Sequence, residues 1–81
     1  MPQLLGLIAG AGGFPLEIAR AARGRGDHVH AIGFHSLTGP SLEDAVDRIE
    51  WLHLGELDAL LDSFDRAGVR DAVMAGKVEK A

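Results

Sequence analysis

The chain has 81 residues, 47% of them hydrophobic, a formal net charge of −4 and no cysteine. That leaves room for one small domain with a marginal core, and it excludes disulfides, thiolate metal sites and any general electrostatic attraction to nucleic acid. The lack of cysteine staples fits a reducing compartment, and Gly10 ends the first apolar run too early for a secretory leader or a membrane span, so a cytoplasmic location is expected.

Residues 4–9, Leu-Leu-Gly-Leu-Ile-Ala, form a short apolar run that stops at Gly10, as a strand buried on both faces does. Gly12 and Gly13 follow, and Pro15 suits the first turn of a helix, where its missing N–H has no partner to lose. Glu17 favours the positive end of that helix, and Gly24 and Gly26 stop it. Residues 29–34 read as a second strand, and residues 35–40 as a loop. Ser41-Leu42-Glu43-Asp44 has capping-box spacing without a long apolar period, so at most one short helical turn is expected. Residues 49–54 read as a third strand, with Trp51 in the core. Leu57, Leu60, Leu61 and Phe64 then recur as one buried helical face, which Gly68 closes. Residues 72–75 form a fourth strand ahead of Gly76-Lys77. Short apolar strands alternating with helices predict an α/β fold: a Rossmann-like parallel sheet with β-α-β-β-α-β order and three layers. A doubly wound sheet continues past a fourth strand, so the 81 residues read as part of an incomplete domain.

The segment Gly10-Ala11-Gly12-Gly13-Phe14 is the most informative. Such a turn bares backbone N–H groups and aims them, with the following helix dipole, at an anion such as phosphate. The competing reading is a tight turn that only lets helix and strand pack closely. A dinucleotide fingerprint is disfavoured, because Pro15 stands at its third glycine and no acid ends the second strand. Gly76-Lys77-Val78 is no Walker motif either, since Asp71 and Val78 occupy the glycine and hydroxyl positions. Lys77 stands at the carboxyl end of a predicted strand, where it serves either as a point charge for phosphate or as a solvated loop cation. His28 and His30 alternate on one strand face and could pair on a metal, but no third ligand has matching spacing. Edge or solvent-facing histidines are the expectation. His53 is a weaker candidate at the ligand edge. Asp58, Asp62 and Asp65 read as a solvated helix face, with Asp62 pairing to Arg66, and Arg20, Arg23 and Arg25 read likewise as helix surface.

Three segments, residues 5–15, Leu54-Gly55-Glu56-Leu57 and residues 73–78, together resemble the N-terminal domain of LpxI-type UDP-2,3-diacylglucosamine pyrophosphatases of lipid A synthesis. The resemblance runs along almost the whole chain. It implies a metal-dependent hydrolase that attacks the α-phosphate of UDP-2,3-diacylglucosamine and releases UMP and lipid X. It also implies Mg or Mn held by acids of a C-terminal domain absent from these residues, and not bound by this segment. Gly10, Ala11, Gly12, Gly13, Phe14 and Lys77 carry over as substrate contacts, and no catalytic residue carries over. Partners implied are UDP-2,3-diacylglucosamine or lipid X and the missing C-terminal domain. Peripheral contact with the inner membrane is compatible with that substrate. A homo-oligomer is expected because the fourth strand would leave apolar surface open. The alternatives are a non-catalytic nucleotide- or phosphate-binding module and a self-associating structural fragment.

Overall fold

The structure, a computed structural model, describes residues 2–77. Val78, Glu79 and Lys80, read above as the end of the Gly76-Lys77-Val78 segment and its solvated neighbours, lie outside the described residues. The elements follow the order β1 (Leu4–Ala9), α1 (Phe14–Gly24), β2 (His28–Phe34), a 3-10 helix (Pro40–Ala45), β3 (Arg48–Leu52), α2 (Leu57–Ala67) and β4 (Asp71–Ala75). All strand pairs are parallel, and the four strands lie in the order β3-β2-β1-β4. The fold is α/β.

Two hydrophobic clusters occupy the two faces of the sheet. Leu7, Ala9, Val29, Ala31 and Ala75 pack beneath α1 and the 3-10 helix, joined by Ala19, Ala22 and Leu42. Ile32, Phe34 and Leu52 pack beneath α2, joined by Leu60 and Phe64. The uninterrupted apolar run of β1 follows from this arrangement. The strand has β2 on one side and β4 on the other, and both of its faces need apolar cover. On α1, Pro15, Ala19 and Ala22 are the buried positions, and side chains this small let the helix lie close to the sheet.

Several expectations are corrected here. β3 ends at Leu52, not residue 54, because the His53 N–H turns to the Glu56 carboxylate (2.6 Å) and the chain bends into the α2 approach. The short helical turn is a six-residue 3-10 helix, and its Gly39 cap makes no side-chain hydrogen bond, so the capping box does not form. Leu57 and Leu61 are exposed, at 63% and 57%, although the periodicity placed them on the buried face of α2. The helix is rotated to bring Ser63 inward, with Leu60 and Phe64 beside it. Trp51 is half-buried and not core, because β3 is an edge strand.

His30 is the clearest departure from its expected exposure. β2 is an internal strand, and His30 is only 8% exposed. Its Nε2 lies 2.9 Å from the Ser63 hydroxyl, and its ring meets Phe64 edge-on at 5.8 Å. Nδ1 is buried with no hydrogen-bond partner among the described residues. Burial lowers the His30 pKa below 6.5, nearby Glu50 opposes the shift, and Arg48 and Arg66 add to it. The folded state thus resists protonation more than the unfolded chain does. Stability should be full above about pH 6.5, decline as pH falls toward the lower folded value, and level off below it. Urea unfolding at pH 7.5 and pH 5.5 checks this. The wild-type midpoint should fall at the lower pH, and His30→Gln should lose most of that difference.

Candidate functional site

The fold reverses direction at one place. The chain winds from β1 through α1 to β2 and on to β3, and α2 then carries it back across the sheet to β4, beside β1. The carboxyl ends of β1 and β4 therefore flank a topological switch point, where ligands enter open α/β sheets. The glycine turn leaves β1 there, and Gly76-Lys77 leaves β4.

The two loops are joined by backbone. Gly10 N–H donates to the Ala75 carbonyl at 2.7 Å, Ala11 N–H donates to the Lys77 carbonyl at 2.8 Å, and Lys77 N–H donates to the Ala11 carbonyl at 3.1 Å. Two glycines make this approach possible. A Cβ at Gly10 would sit 2.5 Å from the Lys77 carbonyl oxygen, and one at Gly76, whose φ is +93°, would sit 2.7 Å from the Ala11 carbonyl oxygen. Gly10 and Ala11 thus spend their N–H groups inside the protein. Among the described residues, the N–H groups of Gly12, Gly13 and Phe14 make no such bond. Gly12 has φ +93° with open space where a side chain would be, and Gly13 is the N-cap of α1 without a side-chain cap. Lys77 is exposed beside them. The residues expected to share an edge are therefore in one place, and the part of the turn still open to an anion is its second half.

Thr38 completes the frame, a role that its reading as turn chemistry missed. Its buried hydroxyl donates to the Ala9 carbonyl and accepts from the Phe34 N–H, both at 2.8 Å. This pins the loop after β2 against the end of β1. Between that loop and the glycine turn lies a cleft of about 50 Å³ lined by Gly10, Gly12, Gly13, Thr38 and Gly39 among others. Enclosed ligand sites run to several hundred Å³, so this cleft is one wall of a site.

A wider cleft of about 360 Å³ opens on the far side of Thr38, bordered by His35, Pro40, Glu43 and Trp51. The His35 ring lies 4.7 Å from that of His53 and 6.0 Å from that of Trp51. A third cleft, about 380 Å³, lies at the opposite edge among Leu4, His28, Asp47, Arg48 and Arg66, away from the switch point. There Asp47 accepts the Val29 N–H at 2.7 Å, which holds its carboxyl below the usual carboxylate range, and contacts His28 Nδ1 at 3.5 Å. These bonds join strand starts and read as structure. Asp62 pairs with Arg66 at 2.9 Å, as the helical spacing required. Among the described residues, no three His, Asp or Glu side chains converge as a metal site needs.

The LpxI N-terminal domain model matches residues 4–81, nearly the full chain. The chain belongs to the LpxI N-terminal domain family. LpxI is the UDP-2,3-diacylglucosamine hydrolase of lipid A biosynthesis. The LpxI match spans both halves of the candidate site, from the strand before the glycine turn to Lys77. No curated protein matches the chain. No helix among the described residues of this LpxI domain is long and apolar enough to cross a membrane.

Proposed function

We propose that this chain supplies the substrate-binding wall of a UDP-2,3-diacylglucosamine pyrophosphatase, and not its reacting acids. In that reaction water adds to the α-phosphorus and the bond from it to the bridging oxygen breaks. The α-phosphate leaves as UMP, and the β-phosphate stays on the diacylated sugar as lipid X. The observation that carries the reading is the pairing of a family match with a glycine turn at the switch point, where three backbone N–H groups have no backbone partner among the described residues, beside Lys77. Such N–H groups at a helix start favour a phosphate through both hydrogen bonding and the helix dipole. Lys77 adds a point charge.

The family implies Mg or Mn, and the described residues do not fit one, since no acid set converges among them. We assign the metal and its acids to another domain of the enzyme, against which this wall would close. We infer a cytoplasmic location, with peripheral contact at the inner membrane compatible with a diacylated substrate. The second reading, a nucleotide- or phosphate-binding module without catalysis, is favoured by that same lack of convergent acids.

Isothermal titration with UMP, lipid X and inorganic phosphate tests the proposal. UMP and lipid X should both bind the wild-type chain. Gly12→Val should weaken UMP about tenfold or more, because it strains a positive φ and puts a branched side chain into the open space beside the turn. UMP binding without lipid X would favour the second reading. Unchanged UMP affinity in folded Gly12→Val would contradict the role of the turn.

A further inference from the structure

The wider cleft beyond Thr38 has features that neither the core nor the glycine turn accounts for. Gly33 lies inside an internal strand, where glycine weakens packing and marks a close approach of other groups. The approaching group is Trp51. A Cβ at Gly33 would fall 2.7 Å from Trp51 Cζ3 and 2.9 Å from Cε3, so the six-membered ring of the indole lies directly over the Gly33 backbone. The ring thus packs closely on Gly33 at the sheet edge while it still borders the cleft. His35, exposed at the end of β2, tilts 31° to Trp51 and 38° to His53. Pro40 and Glu43 of the 3-10 helix form the opposite wall. Thr38 borders both this cleft and the one under the glycine turn, so the two are neighbours on either side of it.

Aromatic faces, the Pro40 ring and an open cleft of about 360 Å³ suit a planar heterocycle. Stacking on such faces is a sequence-tolerant way to hold nucleobases. We propose that the cleft of His35, Pro40, Glu43 and Trp51 seats the uracil of a uridine nucleotide, whose phosphate end reaches the glycine turn past Thr38. This rests on the substrate reading given above. Glu43 is a hydrogen-bond acceptor at the cleft wall, available to an N–H on the edge of the base.

The chain holds a single Trp and no Tyr, so its intrinsic emission reports on this cleft alone. UMP and uridine should both change Trp51 emission, while inorganic phosphate leaves it unmoved. By calorimetry, Trp51→Leu should bind UMP about tenfold more weakly. His35→Ala should do so severalfold and, since His35 is exposed, serves if the Trp51 variant does not fold. UMP that binds calorimetrically without moving Trp51 emission, with affinity unchanged in His35→Ala, would overturn this assignment and leave the substrate reading intact. Absence of any UMP binding at millimolar concentration would overturn both readings.

Discussion

Gly76→Ala is expected to destabilise the chain by about 3 kcal/mol, against about 1 kcal/mol for Gly68→Ala. Both glycines have positive φ, +93° at Gly76 and +77° at Gly68, so both substitutions carry the strain of a left-handed L-residue. They differ in what the new methyl meets. At Gly68 nothing lies within 4 Å, whereas at Gly76 the Ala11 carbonyl oxygen would be 2.7 Å away and Gly10 Cα 3.1 Å away. These neighbours are backbone and cannot swing aside as a flexible side chain does. Relief requires the loop after β4 to move off the glycine turn, which weakens the Ala11–Lys77 pair of hydrogen bonds. Denaturant unfolding of the two variants measures the difference directly. Equal losses would show that the loops do not pack as described. Because the same junction aligns the open N–H groups of the turn, Gly76→Ala should also weaken UMP binding, and Gly68→Ala should not.

Leu7→Ala should cost about 2–5 kcal/mol, which is a large share of the roughly 4–12 kcal/mol that a domain of this size holds. Leu7 is fully buried in the middle of β1, beside Ala31 of β2 and Val73 of β4, so no solvent-facing route exists for the cavity to collapse. Met74→Ala is the matching control. Met74 is 68% exposed on β4, and its truncation should change stability by less than about 0.5 kcal/mol. A thermal melt of Leu7→Ala that coincides with wild type would mean that β1 is not the centre of the sheet.

What the sequence made legible follows from how local each signal is. The apolar run of residues 4–9 reports a strand covered on both faces, and the glycines at 10, 12, 24, 26 and 68 mark element ends through backbone preference alone. Those signals were enough to find the α/β fold and to place the glycine turn at a ligand edge. The misread residues depend on contacts across the fold. Trp51 looked like core because it alternates with Ile49, yet β3 falls at the sheet edge only once the strand order is known. His30 looked exposed because nothing nearby pairs with it, and its partner Ser63 lies 33 residues away. The inward turn of Ser63 also moves Leu57 and Leu61 out of the buried stripe. In the candidate site, the residues were legible and their division of labour was not. Gly10 is glycine because of Lys77, a neighbour created by the return of α2 across the sheet, and its N–H is taken by Ala75. Thr38 gave no signal beyond a turn, since its role is a hydrogen bond to Ala9.

The central claim is that the second half of the glycine turn holds a phosphate of the nucleotide. Titration of the ¹⁵N-labelled chain with UMP, followed by amide correlation spectra, tests it most directly. The largest shifts should fall on the N–H groups of Gly12, Gly13 and Phe14, with Lys77 following through its bond to Ala11. Shifts gathered instead around His28, Arg48 and Arg66 at the opposite edge, or none at saturating UMP, would contradict it.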